Sequence, residues 1–475
     1  MNGFQRTLRA LALAGGFLCL TTTLAQEPAP EGLVADPTVT FGTLDNGLTY
    51  AIMPNEEPPE RVSLRLLVRA GSLQETDEQA GLAHFLEHMA FNGSENYAPG
   101  ELVEYLQRLG MGFGADTNAH TGFNETVYKL ELPENSEDYL SEGLQVLSDY
   151  AGGLLLLPEE IESERGVIKA ELRARDSVGY RTFVSSWNFL LPESRLVNRF
   201  PIGEIEVIEN AGRDAFVDYY ETWYRPDHMA VVVVGEVEPA EIEGMIAEFF
   251  ADLETPANDV PRIDMGPITN PGLSVGVHAE PEAPATEVAL YSLRPFDRGP
   301  DSRERRIRRI REGLANAVVS QRLERIARAE GAPISAGVAY AWDYLDYMDV
   351  SGIDVTAKPG QWKEAVAVMD EELRRALAFG FQPAELEEAI ANRRRAARQA
   401  VDTQGTRKSR QLSSALVSAL SEERTFLSPE AQLALVEDAI NDFGVDEAAE
   451  TFRALWADDD RFLWMTGPLE APGDG

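Results

Sequence analysis

The stretch His84-Phe85-Leu86-Glu87-His88 decides how this chain is read. Histidines four positions apart on a helix leave the same face, so both rings can reach one cation. Glu87 falls beside them, where its carboxylate can take a proton from a water activated there. The order H-x-x-E-H reverses the H-E-x-x-H arrangement of other metal-binding helices. The chain has only five histidines and two are here, which lowers the odds of coincidence. Working outward, Val62 to Val68 reads as a strand. Thr76-Asp77-Glu78-Gln79 fits a capping box that opens the helix carrying His84, Glu87 and His88, and Asn92-Gly93 closes it.

A third ligand must come from elsewhere, since a catalytic zinc takes three protein ligands and keeps one open position. The helix predicted from Pro158 to about Arg175 is the obvious donor. Its buried stripe runs through Ile161, Ile168 and Leu172, and Glu164 and Glu171 flank that stripe seven residues apart, with Glu160 near the same side. Carboxylates bordering a buried face need a partner. A cation would satisfy them, and so would Arg165, Lys169 or Arg175. Spacing does not choose among Glu160, Glu164 and Glu171.

Asp45-Asn46-Gly47 marks a turn between the strand-like runs Thr38 to Leu44 and Leu48 to Met53. Thr126 to Leu132 alternates as a strand does, and Met229 to Val234 is a continuous apolar strand. Helices are expected over Pro99 to Leu109, Tyr139 to Tyr150 and Pro239 to Leu253. Pro256, Pro261, Pro267 and Pro271 then punctuate a linker, 256–272, between a first domain, 39–255, and a second, 273–470. The two parts end alike. Trp223-Tyr224 precedes the strand from Met229 to Gly235, and Trp456 precedes the strand from Arg461 to Gly467, an echo that agrees with an internal duplication. The basic run Arg303 to Arg311 reads as a solvated helix face paired with nearby Glu rather than an anion-binding patch, with Ile307 and Ile310 on a buried stripe.

With 80 acidic against 42 basic residues, the formal net charge is −38. A nucleic-acid partner is disfavoured, because phosphate backbones need a basic face, and so is an anionic membrane surface. Arg6 and Arg9, the apolar run Ala10 to Leu20 and Thr23-Leu24-Ala25 form a signal peptide, 1–25, followed by a Pro- and Glu-rich flexible leader, 26–38. The single cysteine, Cys19, lies in the signal, so neither disulfides nor thiol chemistry are expected. No later segment is apolar for long enough to span a bilayer. The sequence thus describes an exported chain of two domains with no membrane span after signal cleavage.

Gly81-Leu-Ala-His84-Phe-Leu-Glu87-His88-Met-Ala-Phe-Asn-Gly93 resembles the zinc site of the pitrilysin/insulinase peptidases, the inverzincins. Asp116-Thr-Asn118-Ala119-His-Thr, Glu125-Thr-Val-Tyr128, Glu164-Arg-Gly-Val-Ile-Lys-Ala-Glu171, Pro201-Ile-Gly203 and Trp223-Tyr-Arg-Pro226 extend the likeness over residues 36 to 255. It is nearest to the N-terminal half of long bacterial periplasmic PqqL-like members. The resemblance implies an α+β fold of two similar α/β sandwich domains, each a sheet packed against helices. It implies one zinc ion held by His84, His88 and Glu171, with Glu87 as the catalytic base and Glu164 as an auxiliary carboxylate. It also implies that Asn118 and Ala119 lie on a strand edge that binds an extended peptide. The implied activity is zinc-dependent endopeptidase cleavage of peptides or unfolded protein segments, in the periplasm. In the family two such halves close around the substrate, and the second supplies binding residues, often an Arg and a Tyr. A second lobe is therefore expected from another copy of the chain or from a separately encoded half. The alternative is a non-catalytic or partner-dependent peptide-binding subunit.

Overall fold

The computed structural model describes residues 32–469 except 109, 113, 270, 271 and 459. The expected signal peptide, 1–25, and the first part of the expected leader lie outside these residues.

Two sheets organise the chain. The first holds β1 (Thr40–Thr43), β2 (Thr49–Pro54), β3 (Val62–Val68), β4 (Thr117–Thr121), β5 (Thr126–Leu132) and β6 (Met229–Gly235). Their order is β1-β2-β6-β3-β5-β4. The second holds β7 (Leu273–Ala279), β8 (Thr286–Pro295), β9 (Ile334–Tyr344), β10 (Met348–Ala357) and β11 (Arg461–Gly467), in the order β7-β11-β8-β10-β9. Apart from β1, the two orders are the same permutation. In each, the last strand inserts between the first two and runs parallel to one of them, β6 to β2 and β11 to β7, while the other neighbours are antiparallel. Helices pack on both sheets, giving an α+β fold.

β3 and β6 are buried along their whole length, because both faces of the first sheet are covered. On one face Ile52, Leu64, Leu66, Tyr128, Val231 and Val233 pack with helices Leu82–Met89, Glu137–Gly152, Arg213–Trp223 and Pro239–Phe250. On the other, Ala51, Met53, Leu67, Val127, Val232 and Val234 meet Leu412, Leu416 and Val417. These last three come from helix Ser409–Ser421, which lies in the chain between helices that pack on the second sheet. The exchange is reciprocal. Trp187 and Leu190, on helix Val178–Leu190 of the N-terminal part, cluster with Leu293, Val350 and Phe462 of the second sheet.

Three local expectations differ from the structure. The capping box of Thr76 and Gln79 is present, but it closes a single 3-10 turn, Asp77–Gln79, and the α-helix begins only at Leu82. Gly81 breaks the chain between them at φ +103°, and a Cβ there would lie 2.8 Å from the Cα of Gly203. The basic run lies on helix Arg303–Ala327 and pairs in part with nearby Glu312 as expected, but some of its charges reach acids distant in the chain. Arg306 pairs with Asp301, Arg309 with Glu312 and Asp349, and Arg311 with Glu447. Of the leader, residues 32–38 are docked. Leu33 packs with Leu427 and Leu435, and the Asp36 N–H donates to the carbonyl of Phe426 at 2.8 Å.

Candidate metal centre

Helix Leu82–Met89 is buried on nearly every side, which leaves few directions for its polar groups. Its first turn is finished from outside. The two oxygens of Glu75 accept the N–H groups of Gly81 and Ala83 at 2.9 and 2.8 Å, satisfying donors that a helix start leaves open. Glu75 is fully buried and burial pushes its carboxyl up to about 8, against the opposing pull of those N–H bonds and of Arg199 and Arg195. The helix is thereby fixed against the sheet, and His84 and His88 project together with ring centroids 4.9 Å apart.

Helix Pro158–Ala174 brings the acids. Its phase follows the apolar stripe, with Ile161 and Ile168 buried and Leu172 packed at the edge of the same core. One oxygen of Glu171, Oε2, lies 3.5 Å from Nε2 of His84 and 3.5 Å from Nε2 of His88. Among the described residues, His84, His88 and Glu171 form the one group of three such side chains with ligand atoms all within 4.8 Å of one another. A separation of 3.5 Å is long for a hydrogen bond. It is close to the edge of a tetrahedron built with bonds of about 2.0–2.1 Å, which is roughly 3.4 Å. Two imidazole nitrogens and a carboxylate oxygen are also a donor set suited to zinc. The residues therefore fit a divalent cation.

The surrounding groups fix each of the three. Burial, reinforced by the neighbouring His88, lowers His84 to about 4, which favours the neutral imidazole a metal ligand must be. Its buried Nδ1 has no hydrogen-bond partner among the described residues. The Nδ1–H of His88 donates to Oε1 of Glu164 at 2.8 Å; a carboxylate can only accept, which sets the tautomer and leaves Nε2 facing Glu171. The Asn92 amide holds the other oxygen of Glu164 at 3.1 Å. Glu171 is held by Arg175, whose Nε and Nη2 donate to Oε1 at 3.1 and 2.7 Å and leave Oε2 for the imidazoles. Burial works against ionising Glu171, but Arg175 and the two histidines outweigh it and lower its pKa. Glu160 has no place in the cluster.

Glu87 lies on the sheet side of the same helix. Burial raises its pKa, opposed by the hydroxyl of Thr121, which donates to Oε2 at 2.6 Å. Thr121 ends β4, the strand at the free edge of the first sheet. Asn118 and Ala119 lie on that strand, in register with Lys129 and Tyr128 of β5. The N–H of Ala119 donates to the side-chain oxygen of its neighbour Asn118 at 2.9 Å.

Sequence reasoning did not assign Thr121 or Glu75 to the site, took Asn92 only as the end of the helix, and took Arg175 only as a rival partner for the acids. Arg175 sits four residues beyond Glu171, the spacing of a helical pair, and that signal was available. The bond from Thr121 depends on how two separate segments meet, whereas Glu75 lies close in sequence to Gly81 and Ala83 and folds back onto them.

Comparison with known proteins places the chain at the level of family and fold. Residues 50–182 match the family model of insulinase, peptidase family M16, and residues 210–305 match the M16 inactive-domain model. The chain is 31% identical over 454 residues to the probable zinc protease PqqL of Escherichia coli, covering 94% of this chain and 48% of that protein. It superimposes on the crystal structure of the first half of the periplasmic protease PqqL from Escherichia coli with a TM-score of 0.86 and 30% identity, covering 92% of this chain and 93% of that one. The same TM-score is found with the whole of that protease, of which it covers 48%. The chain belongs to the M16 (insulinase) peptidase family. It spans about half the length of the PqqL protein, and among the described residues no helix is long and apolar enough to cross a membrane.

Proposed function

We propose that this chain is an exported zinc-dependent endopeptidase lobe that cleaves peptides or unfolded protein segments. The observation that carries the reading is the cluster of His84, His88 and Glu171, with Glu87 beside it at the free edge of a sheet. Its residues would divide the work as follows. His84, His88 and Glu171 would hold the ion. When bound, zinc would supply Lewis-acid polarisation of the scissile carbonyl and of a neighbouring water. Glu87 takes the proton from the attacking water and passes it to the leaving amine. Its raised pKa, caused first by burial, brings it nearer the range where it can both accept and return a proton. Glu164 acts as a positioning residue through His88, and Arg175 does so through Glu171.

An extended substrate would add a strand to β4. The N–H of Ala119, which rests on the Asn118 side chain, would be handed to a substrate carbonyl. The division of the chain into a zinc-binding domain, 39–255, and a second domain, 273–470, belongs to this reading, as does a periplasmic site of action. Because the chain spans about half of PqqL, a second lobe would come from another copy or a separately encoded half. That same observation favours one other reading, a partner-dependent peptide-binding subunit without catalysis of its own.

The test is hydrolysis of an internally quenched peptide by the mature chain, alone and with a candidate second lobe. Activity abolished by a chelator and restored by zinc is expected, with Glu87→Gln inactive. Cleavage by Glu87→Gln at the wild-type rate would refute the mechanism, and peptide binding without cleavage in any pairing would favour the second reading.

A further inference from the structure

Strand β4 has support from one strand only, and the chain leading into it is rich in glycine. Gly110, Gly112 and Gly114 fall within five residues, and Gly110 and Gly114 adopt φ +83° and +86° with nothing within 4 Å of where a Cβ would stand. A segment so rich in glycine has much conformational freedom to lose. Something must fix it if β4 is to present a rigid edge.

Helix Ser409–Ser421 does so at both ends. Near its start, Nη2 of Arg410 donates to the carbonyl of Ala115 at 2.8 Å and lies 3.6 Å from the carboxylate of Asp116. Its Nε lies 3.3 Å from Glu131, at the end of β5. Glu131 in turn binds the buried guanidinium of Arg65 in β3. Asp116 carries the pull inward, since its carbonyl accepts the Glu131 N–H at 2.8 Å and its carboxylate accepts the Gly112 N–H at 2.9 Å. At the far end of the helix, Ser421 faces Glu125, which pairs with His120 of β4 at 3.4 Å. The hairpin β4–β5 is thus gripped before its first strand and again at its turn. Between the two grips lie Asn118, Ala119 and Thr121, the last of them bonded to Glu87.

We infer that Arg410, on a helix contributed by the C-terminal part of the chain, is a positioning residue for the edge strand β4 and, through Thr121, for Glu87. Its role in catalysis rests on the peptidase reading above; its effect on the strand does not. A lone exposed ion pair would do little. Arg410 differs in joining three chain positions that share no other tie to this helix end: a carbonyl, and carboxylates on either side of the hairpin.

The test is amide hydrogen exchange on the zinc-loaded full chain, comparing wild type, Arg410→Ala and Arg410→Lys. Loss of charge-assisted bonds at this strength should speed exchange across residues 114–121 about tenfold in the alanine variant, with lysine restoring part of the protection. Helix Leu82–Met89 and the second sheet should exchange as in wild type. Peptide hydrolysis should show a fall in kcat and a rise in KM together, since the same strand binds substrate and holds Glu87. If the alanine variant does not fold, Asp116→Asn removes the partner charge without touching the helix and should give the same local pattern. Unchanged exchange at 114–121, or a rise spread over both sheets, would overturn the inference. A wild-type chain that cleaves nothing in any pairing would defeat the peptidase reading and leave the exchange result standing.

Discussion

Replacing Arg175 with methionine separates two ways in which a charged pair can matter. Arg175 donates twice to Oε1 of Glu171, and that grip turns Oε2 toward both imidazoles. As an ordinary half-exposed pair four residues apart on a helix, it would contribute about 0.3–0.5 kcal/mol, roughly a twofold change in an equilibrium. As an outer partner that orients a metal ligand, its removal should weaken zinc binding about 10–100-fold, or roughly 1.4–2.7 kcal/mol. A third effect runs the other way, because removing a positive charge beside a divalent cation favours binding. A net fall in affinity can therefore arise from lost orientation or from the rise in the Glu171 pKa that follows loss of Arg175, and only the second shrinks as the assay pH is raised. Methionine retains most of the stem, so packing changes little. The assay is zinc competition against a chromophoric chelator on the full-length protein, at fixed pH and ionic strength, with Glu171→Ala as the reference for loss of the ligand itself. Affinity that is unchanged or improved in Arg175→Met would refute the claim that this guanidinium sets the direction of Glu171.

Thr121→Val keeps the shape of the side chain and removes the hydroxyl that donates to Glu87; a bond to a charged acceptor is worth about 1.5–3 kcal/mol, so kcat for a quenched peptide should fall about tenfold or more while KM stays within about twofold. Glu75 gives a pH signature in stability. Its folded pKa of about 8 lies above the unfolded value of 4.5, so its contribution is complete at low pH and is lost as pH rises through that window. Urea unfolding should show wild type losing stability across it, by at most roughly 5 kcal/mol, and Glu75→Gln should flatten that slope. Leu416→Ala empties a fully buried position between the first sheet and its outer helix, and should cost about 2–5 kcal/mol in urea or thermal unfolding without altering zinc affinity.

The parts of the site and fold that were legible in the sequence are those set by local pattern. Strands Val62–Val68 and Thr126–Leu132 coincide with their sequence-based expectations because their side chains alternate or run apolar between clear breaks. Helix Pro158–Ala174 begins at its proline and ends one residue before the expected stop. The duplicated endings at Trp223 and Trp456 correspond to strands β6 and β11, which occupy equivalent places in the two sheets. What was not legible depends on groups distant in the chain. The site helix starts at Leu82 and not after Thr76 because Gly81 meets Gly203, far along the chain; Glu75, close by in sequence, then supplies the cap from outside the helix. The arginines from 303 to 311 looked solvated because their acids, Asp349 and Glu447 among them, lie 40 and 136 residues away.

The same limit explains why sequence gave no hint of the covering helices. An amphipathic stripe reports that a helix must bury one face, but it does not say against which sheet. Helix Val178–Leu190 follows the acid-bearing helix directly and could as well have packed on its own sheet. It packs on the other one, and helix Ser409–Ser421 makes the reverse crossing. A sheet such as the first, with β6 reading Met-Ala-Val-Val-Val-Val-Gly, cannot leave either face in water. With both covers exchanged, neither sheet keeps its outer face dry without the other part of the chain. Two similar units could have evolved to slide past one another; these are interlocked. The consequence falls on chemistry as well as stability. Strand β4 borders both Glu87 and the helix that crosses over, so displacement of the C-terminal part would be felt first at the edge where a peptide would lie.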